Sequence, residues 1–149
     1  MKNTGIRKAR KSDLLAIGKL LTELIHAMHD TEGVDIGIAL ATCERLLSGA
    51  GSHLLVATAE GIPVAFINFT VRQTILHRSP SAVIDELVVA REYQGKGVGK
   101  QLVLAAIEEC EQLGCCEVEV STEKTNDKAR RFYKGCRFEE KGVLFEVDL

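Results

Sequence analysis

Residues 83–114 read VIDELVVAREYQGKGVGKQLVLAAIEECEQLG and divide into three parts. Ile84, Leu87, Val88 and Val89 form a short apolar, largely β-branched run of the kind a mostly buried strand carries. Ala90 to Tyr93 is more polar and leads into Gln94-Gly95-Lys96-Gly97-Val98-Gly99, with a glycine at every second position. Beyond that turn, Val98, Leu102, Ala105, Ala106, Cys110 and Leu113 recur at helical spacing. Gly114 follows, where a left-handed residue ends a helix. The stretch therefore predicts a buried strand, a tight glycine turn and a long helix.

Such a turn suits an anion. The first N–H groups of a helix lack intrahelical acceptors and sit at the positive end of the helix dipole. Glycines remove Cβ atoms and let an anion approach the backbone, while Lys96 and Lys100 add charge. Two phosphate loops are excluded by spacing. Gly95 and Gly99 are separated by three residues and Gln101 follows Lys100, so neither the GxxxxGK spacing nor its hydroxyl is present. The GxGxxG dinucleotide pattern fails because Lys100 stands at its third glycine.

Gln94-x-x-Gly97-x-Gly99 after a Leu-Val-Val strand resembles the acetyl-CoA pyrophosphate loop of the GNAT N-acetyltransferases, Gln/Arg-x-x-Gly-x-Gly/Ala. Asn126-Asp127-Lys128-Ala129-Arg130-Arg131-Phe132-Tyr133, closing on Phe138, is similar to that superfamily's second signature. Gly5-Ile6-Arg7-Lys8-Ala9 and Ser12-Asp13-Leu14 resemble its opening strand and helix, so the likeness spans essentially the whole chain. Arg137 departs from the pattern, standing where the family has glycine before Phe138.

The rest of the chain fits one domain over residues 1–149. Hydrophobic residues make up 46% and charged residues 27%, and the net charge of −2 argues against a nucleic-acid binder that relies on bulk positive charge. No apolar run suits a signal peptide or a membrane span, so a cytoplasmic protein is expected. Five cysteines without a CxxC pair point to reduced, mostly buried thiols and not to a disulfide framework or a zinc site. His26 and His29 lack a matching ligand cluster, and no metal is expected.

Taken in order, Ile6–Arg10 reads as a strand, Ser12 as an N-cap, and Leu14 to Met28 as an amphipathic helix. A polar loop leads to a second helix over Ile36–Leu47. Strands over His53–Ala59 and Ile62–Val71 are joined at Glu60-Gly61. After the organising stretch come a strand at Cys116–Val120, a helix capped by Asn126 or Asp127, and two closing strands, Phe138–Glu140 and Val143–Val147. This is a mixed α/β (α+β) order. The resemblance implies a largely antiparallel central sheet, splayed near its middle, with helices on both faces.

The resemblance also implies a chemistry: transfer of an acetyl group from acetyl-CoA, as co-substrate, to a primary amine. A free alkyl ammonium has a pKa near 10.4, so only about one molecule in 10³ is nucleophilic at neutral pH. A positioned base is therefore useful. Asp85 and Glu86 are the carboxylates that the family geometry brings nearest the acetyl group. As neighbours on a strand they are expected to face opposite sides, with only one toward the cleft. Glu86 is favoured, with Asp85 or water as alternatives. Leu87, Val88 and Val89 would offer backbone groups to the pantetheine, the Val89 N–H lying near the thioester oxygen. Gln94, Gly95, Lys96, Gly97, Val98, Gly99 and Lys100 would hold the pyrophosphate, with Asn126 and Ala129 contributing from the second signature. Tyr133 would protonate the leaving thiolate. Asp30, Glu32 and Asp35 beside Glu86 suggest a cationic acceptor. The middle section is loosely similar to small-molecule members such as aminoglycoside acetyltransferases. A non-catalytic acyl-CoA-binding sensor or regulatory module is the alternative, and a homodimer is left open.

Overall fold

The computed structural model describes residues 4–28 and 33–149. Its elements are β1 (Thr4–Lys8), α1 (Leu14–Ala27), α2 (Ile36–Leu47), β2 (Ser52–Ala59), β3 (Ile62–Arg72), β4 (Ser81–Val89), α3 (Val98–Gln112), β5 (Glu117–Val120) and α4 (Asp127–Lys134). The strands form one sheet in the order β1-β2-β3-β4-β5. The first four pair antiparallel, and β4 pairs with β5 in parallel. Glu60 (φ 51°) and Gly61 (φ 82°) turn β2 into β3, both left-handed as a two-residue hairpin requires.

Two cores sandwich the sheet. On one face Ile67, Phe69 and Ile84 pack with Val98, Leu102, Val103, Ala106 and Cys110 of α3. On the other, Val56, Phe66 and Val88 meet Ile17 and Leu20 of α1. A Cβ on Gly18 would lie 3.1 Å from Leu40, so the absence of a side chain there lets α1 and α2 approach closely. α4 adds Phe132 and Tyr133 to the edge of the first core. The mixed, largely antiparallel sheet with helices on both faces is the expected architecture.

The β4–β5 ladder has four pairs, from Ser81↔Glu117 to Ile84↔Val120, and then stops. β4 continues to Val89 with β3 alone beside it. This is the splay.

Three local expectations are corrected. Ser12 is not the cap of α1. It lies in a 3₁₀ turn over Lys11–Asp13; Asp13 stands at the N-cap position of α1 without a side-chain cap bond to that helix, its carboxylate turned back on the residues before it. The Asp13 carboxylate accepts the Arg10 N–H at 2.8 Å and both Arg7 guanidinium nitrogens at 2.7 and 2.9 Å. The strands expected over Phe138–Glu140 and Val143–Val147 do not form: from Phe138 onward the chain has no regular structure. The first strand spans Thr4–Lys8 and so begins and ends earlier than expected; just past its end the Ala9 N–H still bonds Leu54 O of β2 at 2.9 Å, and the 3₁₀ turn over Lys11–Asp13 follows. Among the described residues, no helix is long and apolar enough to cross a membrane.

Candidate active site

The glycine turn is built as an anion seat. Gly95 and Gly97 adopt φ of 73° and 83°, a region that glycine enters without a Cβ penalty. A Cβ added at either would meet nothing within 4 Å, so the space beside the turn is open. Gln101 N–H donates to Gly97 O at 3.0 Å, closing the first turn of α3. The Val98, Gly99 and Lys100 amides precede it and have no acceptor within the helix. Gln94 folds back, its Nε2 donating to Val89 O at 3.0 Å, and so ties the turn to the end of β4. The Lys96 ammonium lies 5.5 Å from the Tyr93 ring centroid. Free amides, open space and two lysines fit a diphosphate at this position.

Gly99 serves a different purpose. A Cβ there would lie 3.4 Å from both Phe132 Cζ and Val89 Cγ2. The end of β4, the start of α3 and Phe132 of α4 therefore converge on one small residue.

The two carboxylates correct the sequence expectation. Asn68 pairs with Glu86 and the next residue, Phe69, with Ile84, so Asp85 is an extra residue bulged out of β4. Thr70 Oγ1 donates to Asp85 Oδ2 at 2.6 Å, and Asn68 Nδ2 donates to Glu86 Oε2 at 2.7 Å. Asn68 and Thr70 are two apart on a regular strand and share a face. Asp85 and Glu86 thus lie on the same face of the sheet, not on opposite faces. It is the α1–α2 face, since Phe66 and Val88 flank it in the second core. Glu86 also bears on Cys43 of α2, whose thiol is pushed up by burial first and by this carboxylate second. Both carboxylates are exposed, at the point where β4 parts from β5.

Tyr133 stands on the opposite face. Its ring packs edge-on against Phe132 at 5.0 Å and Phe138 at 5.7 Å, within the α3-side core. Burial holds its phenol above the usual tyrosine range, with Cys136 a lesser cause, so it is protonated at neutral pH. Leu87 and Val89 face the same core, while Val88 faces the other. Asn126 caps α4, its Oδ1 accepting the Ala129 N–H at 3.0 Å. The site residues thus divide between the two faces of the sheet, around an opening between two strands.

Other expected residues are not gathered here. Asp35 is the N-cap of α2, its Oδ1 accepting the Ile38 N–H at 2.9 Å, which explains it without any role in a cleft. Asp30, Glu32 and His29 lie outside the described residues. His26 is exposed near the end of α1. Among the described residues, no cluster of three or more His, Cys, Asp or Glu is placed to hold a metal ion. A groove of about 310 Å³ between β1 and α3, lined by Ile6, Lys8 and Glu108 among others, belongs to the far edge of the sheet.

Asn68 is the residue that sequence reasoning missed. It is 7% exposed and its Oδ1 has no partner among the described residues. The signal was available: one amide in the apolar run Val64-Ala65-Phe66-Ile67-Asn68-Phe69 must find a partner or leave a costly orphan.

The model of the acetyltransferase (GNAT) family matches residues 18–138. An uncharacterized N-acetyltransferase of Archaeoglobus fulgidus is 29% identical over 129 residues, 86% of this chain and 88% of that one. Aminoglycoside N(6')-acetyltransferase type 1 of Salmonella typhimurium is 25% identical over 104 residues, 68% of this chain and 72% of its own length. Among solved structures, an aminoglycoside acetyltransferase from an uncultured soil metagenomic sample, in complex with sisomicin, superposes with a TM-score of 0.79. It is 25% identical, over 98% of this chain and 96% of that one.

Proposed function

The chain belongs to the acetyltransferase (GNAT) family, and on that premise we propose that it moves the acetyl group of acetyl-CoA to a primary amine on a small cationic molecule by direct attack. It is an acetyl-CoA-dependent N-acetyltransferase. The cationic acceptor is our reading, and two carboxylates on one sheet face support it, as does the aminoglycoside activity named for two of the relatives.

In this reading each residue has one task. Glu86, steadied by Asn68, takes a proton from the acceptor ammonium, directly or through water. Asp85, on the same face, adds the second carboxylate that draws the cation. Deprotonating an ammonium at neutral pH costs roughly 4–5 kcal/mol for a pKa near 10.4, which is the handicap these groups address. Tyr133, on the other face, gives its proton to the departing thiolate. Gln94 to Lys100 hold the diphosphate, the backbone of Leu87 to Val89 runs along the pantetheine, and the Val89 N–H stabilises charge on the carbonyl oxygen. Asn126 contacts the pantetheine arm. Donor and acceptor would then enter from opposite faces and meet between β4 and β5. We place the enzyme in the cytoplasm, where its five free cysteines would stay reduced.

The observation that carries this reading is the bulge at Asp85, which turns both carboxylates to one face where the sheet opens. The test is a screen of amines and acidic metabolites followed by release of CoA. Release with cationic amines, lost in Glu86→Gln with Asp85→Asn, is the expected result. Acetyl-CoA binding without transfer to any amine would point to a sensor instead, and preference for an acidic acceptor would remove the cationic reading.

A further inference from the structure

Glu23 of α1 takes no part in the enzymatic reading, yet its carboxylate reaches the root of the glycine turn. Its Oε1 accepts the Arg91 N–H, 68 residues away in the chain. Arg91 opens the 3₁₀ turn over Arg91–Tyr93, which joins the end of β4 to the glycine turn. The first amides of such a turn have no acceptor within it. Ala90, the residue in front, has no side-chain oxygen, and no side-chain cap bond is made from that position. Glu23 supplies the acceptor from another element. A bond to a charged carboxylate is roughly twice as strong as one between neutral groups.

Packing sets the reach of Glu23. Ile17, Leu20 and Glu23 follow at three-residue intervals and so lie along one side of α1. Ile17 and Leu20 are buried with Val88 and Ala90 in the second core, and Glu23, one turn further on, meets the next residue of the chain, Arg91. Beyond Arg91 the backbone closes on itself: the Tyr93 N–H donates to Ala90 O at 2.9 Å and the Gln94 N–H to Arg91 O at 3.3 Å. Gly95 and Gly97 then follow in left-handed conformations with open space beside them. Glycine loses the most conformational freedom on ordering, so the turn depends on how firmly its root is held. Among the described residues, Glu23 makes the one side-chain hydrogen bond from α1 or α2 to the segment 90–97.

We infer that Glu23 is a positioning residue for acetyl-CoA binding, an assignment that rests on the proposal that the Gln94–Lys100 turn seats the diphosphate. Its carboxylate braces the turn through the Arg91 N–H, so that the turn amides are in place before the anion arrives. Glu23 touches neither the diphosphate nor the reacting atoms. A loosened turn would have to be ordered on binding, and that cost appears as lost affinity. Charge alone predicts the opposite sign: removing an anion from the neighbourhood of an anion seat strengthens binding.

The test uses the whole chain. Acetyl-CoA is titrated by calorimetry into wild type, Glu23→Ala and Glu23→Gln. Glu23 is exposed, and alanine and glutamine are both good helix formers, so both variants are expected to fold. Glu23→Ala is expected to weaken binding about 10-fold, the size of one lost hydrogen bond to a charged group. The loss should be confined to the affinity and KM for acetyl-CoA, with kcat at saturation retained. Glu23→Gln keeps an acceptor oxygen and should recover most of the affinity. Amide hydrogen exchange without ligand gives a second readout: the Arg91, Gly95 and Gly97 amides should exchange faster in the alanine variant and not in the glutamine variant. Equal or tighter binding by Glu23→Ala, a glutamine variant as weak as the alanine one, or unchanged exchange would overturn the role of Glu23 alone. Absence of acetyl-CoA binding by the wild type would remove the diphosphate seat, and the role of Glu23 with it.

Discussion

Asn68 Nδ2 donates to Glu86 Oε2 at 2.7 Å, and the buried Asn68 Oδ1 beside it has no partner among the described residues. The amide therefore fixes the carboxylate and holds one acceptor in reserve next to it. An ammonium at Glu86 would supply the missing donor. Asn68→Ala is expected to lower kcat/KM for the amine about 10-fold while leaving the affinity for acetyl-CoA unchanged, since a general-base contribution is roughly 10²–10⁴ and only its positioning is lost. Steady-state kinetics with a binding titration checks this. An unchanged kcat/KM would make Asn68 a packing residue only.

Tyr133 is judged by its hydroxyl alone. Tyr133→Phe keeps the edge-on contacts with Phe132 and Phe138 and removes the proton. The expected loss in kcat is about 10²- to 10³-fold, within the range of general-acid contributions, with acetyl-CoA binding intact. Full activity in the phenylalanine variant would leave Tyr133 a core aromatic.

Arg137 is left-handed, with φ of 80°, at the position where the family pattern has glycine. A side chain there costs energy that glycine does not. Its ion pair with Glu111, at 3.5 Å between two exposed groups, offsets little. Arg137→Gly should therefore raise stability by about 0.5–1 kcal/mol in urea unfolding. A neutral or destabilised variant would show the ion pair outweighing the backbone cost.

Asp13 joins the first strand to the first helix. The Arg7 guanidinium, with the Arg10 N–H, holds its carboxyl below the usual range. A lowered folded value stabilises above the unfolded pKa, near 3.9, and that stability is lost as pH falls through the folded value. Asp13→Asn should cost about 1–3 kcal/mol at neutral pH, as loss of a charged, largely buried hydrogen-bond partner does. The gap to wild type should narrow below about pH 4, the reference carboxylate range. A gap that is constant from pH 7 to 3 would assign the effect to shape, not charge.

The glycine turn and α3 were legible because they depend on spacing within one stretch, and α2 was read at its observed bounds for the same reason. The faces of Asp85 and Glu86 were not legible, because alternation assumes a regular ladder. The bulge is set by how β4 meets Asn68 and Thr70 on another strand. Residue type marks Ser12 as a cap, but Arg7 and the Arg10 N–H draw the Asp13 carboxylate back and close a 3₁₀ turn in which Ser12 lies. Asp35 looked like a cleft acid because its use as a cap is local and silent in composition. The alternation of Val143, Phe145 and Val147 is plain in the sequence, yet a strand needs a neighbour, and none lies beside it among the described residues.

The central claim is that the turn from Gln94 to Gly99 seats the diphosphate of acetyl-CoA. Calorimetric titration of acetyl-CoA into wild type and Gly97→Asp tests it most directly, with circular dichroism to confirm that the variant folds. Asp tolerates left-handed backbone better than most residues, and space for its side chain is open at Gly97. A folded variant that binds at least about 100-fold more weakly is predicted, because a carboxylate would take the anion's place beside the helix N-terminus. Equal affinity in a folded Gly97→Asp protein, or no binding by the wild type, would contradict the account.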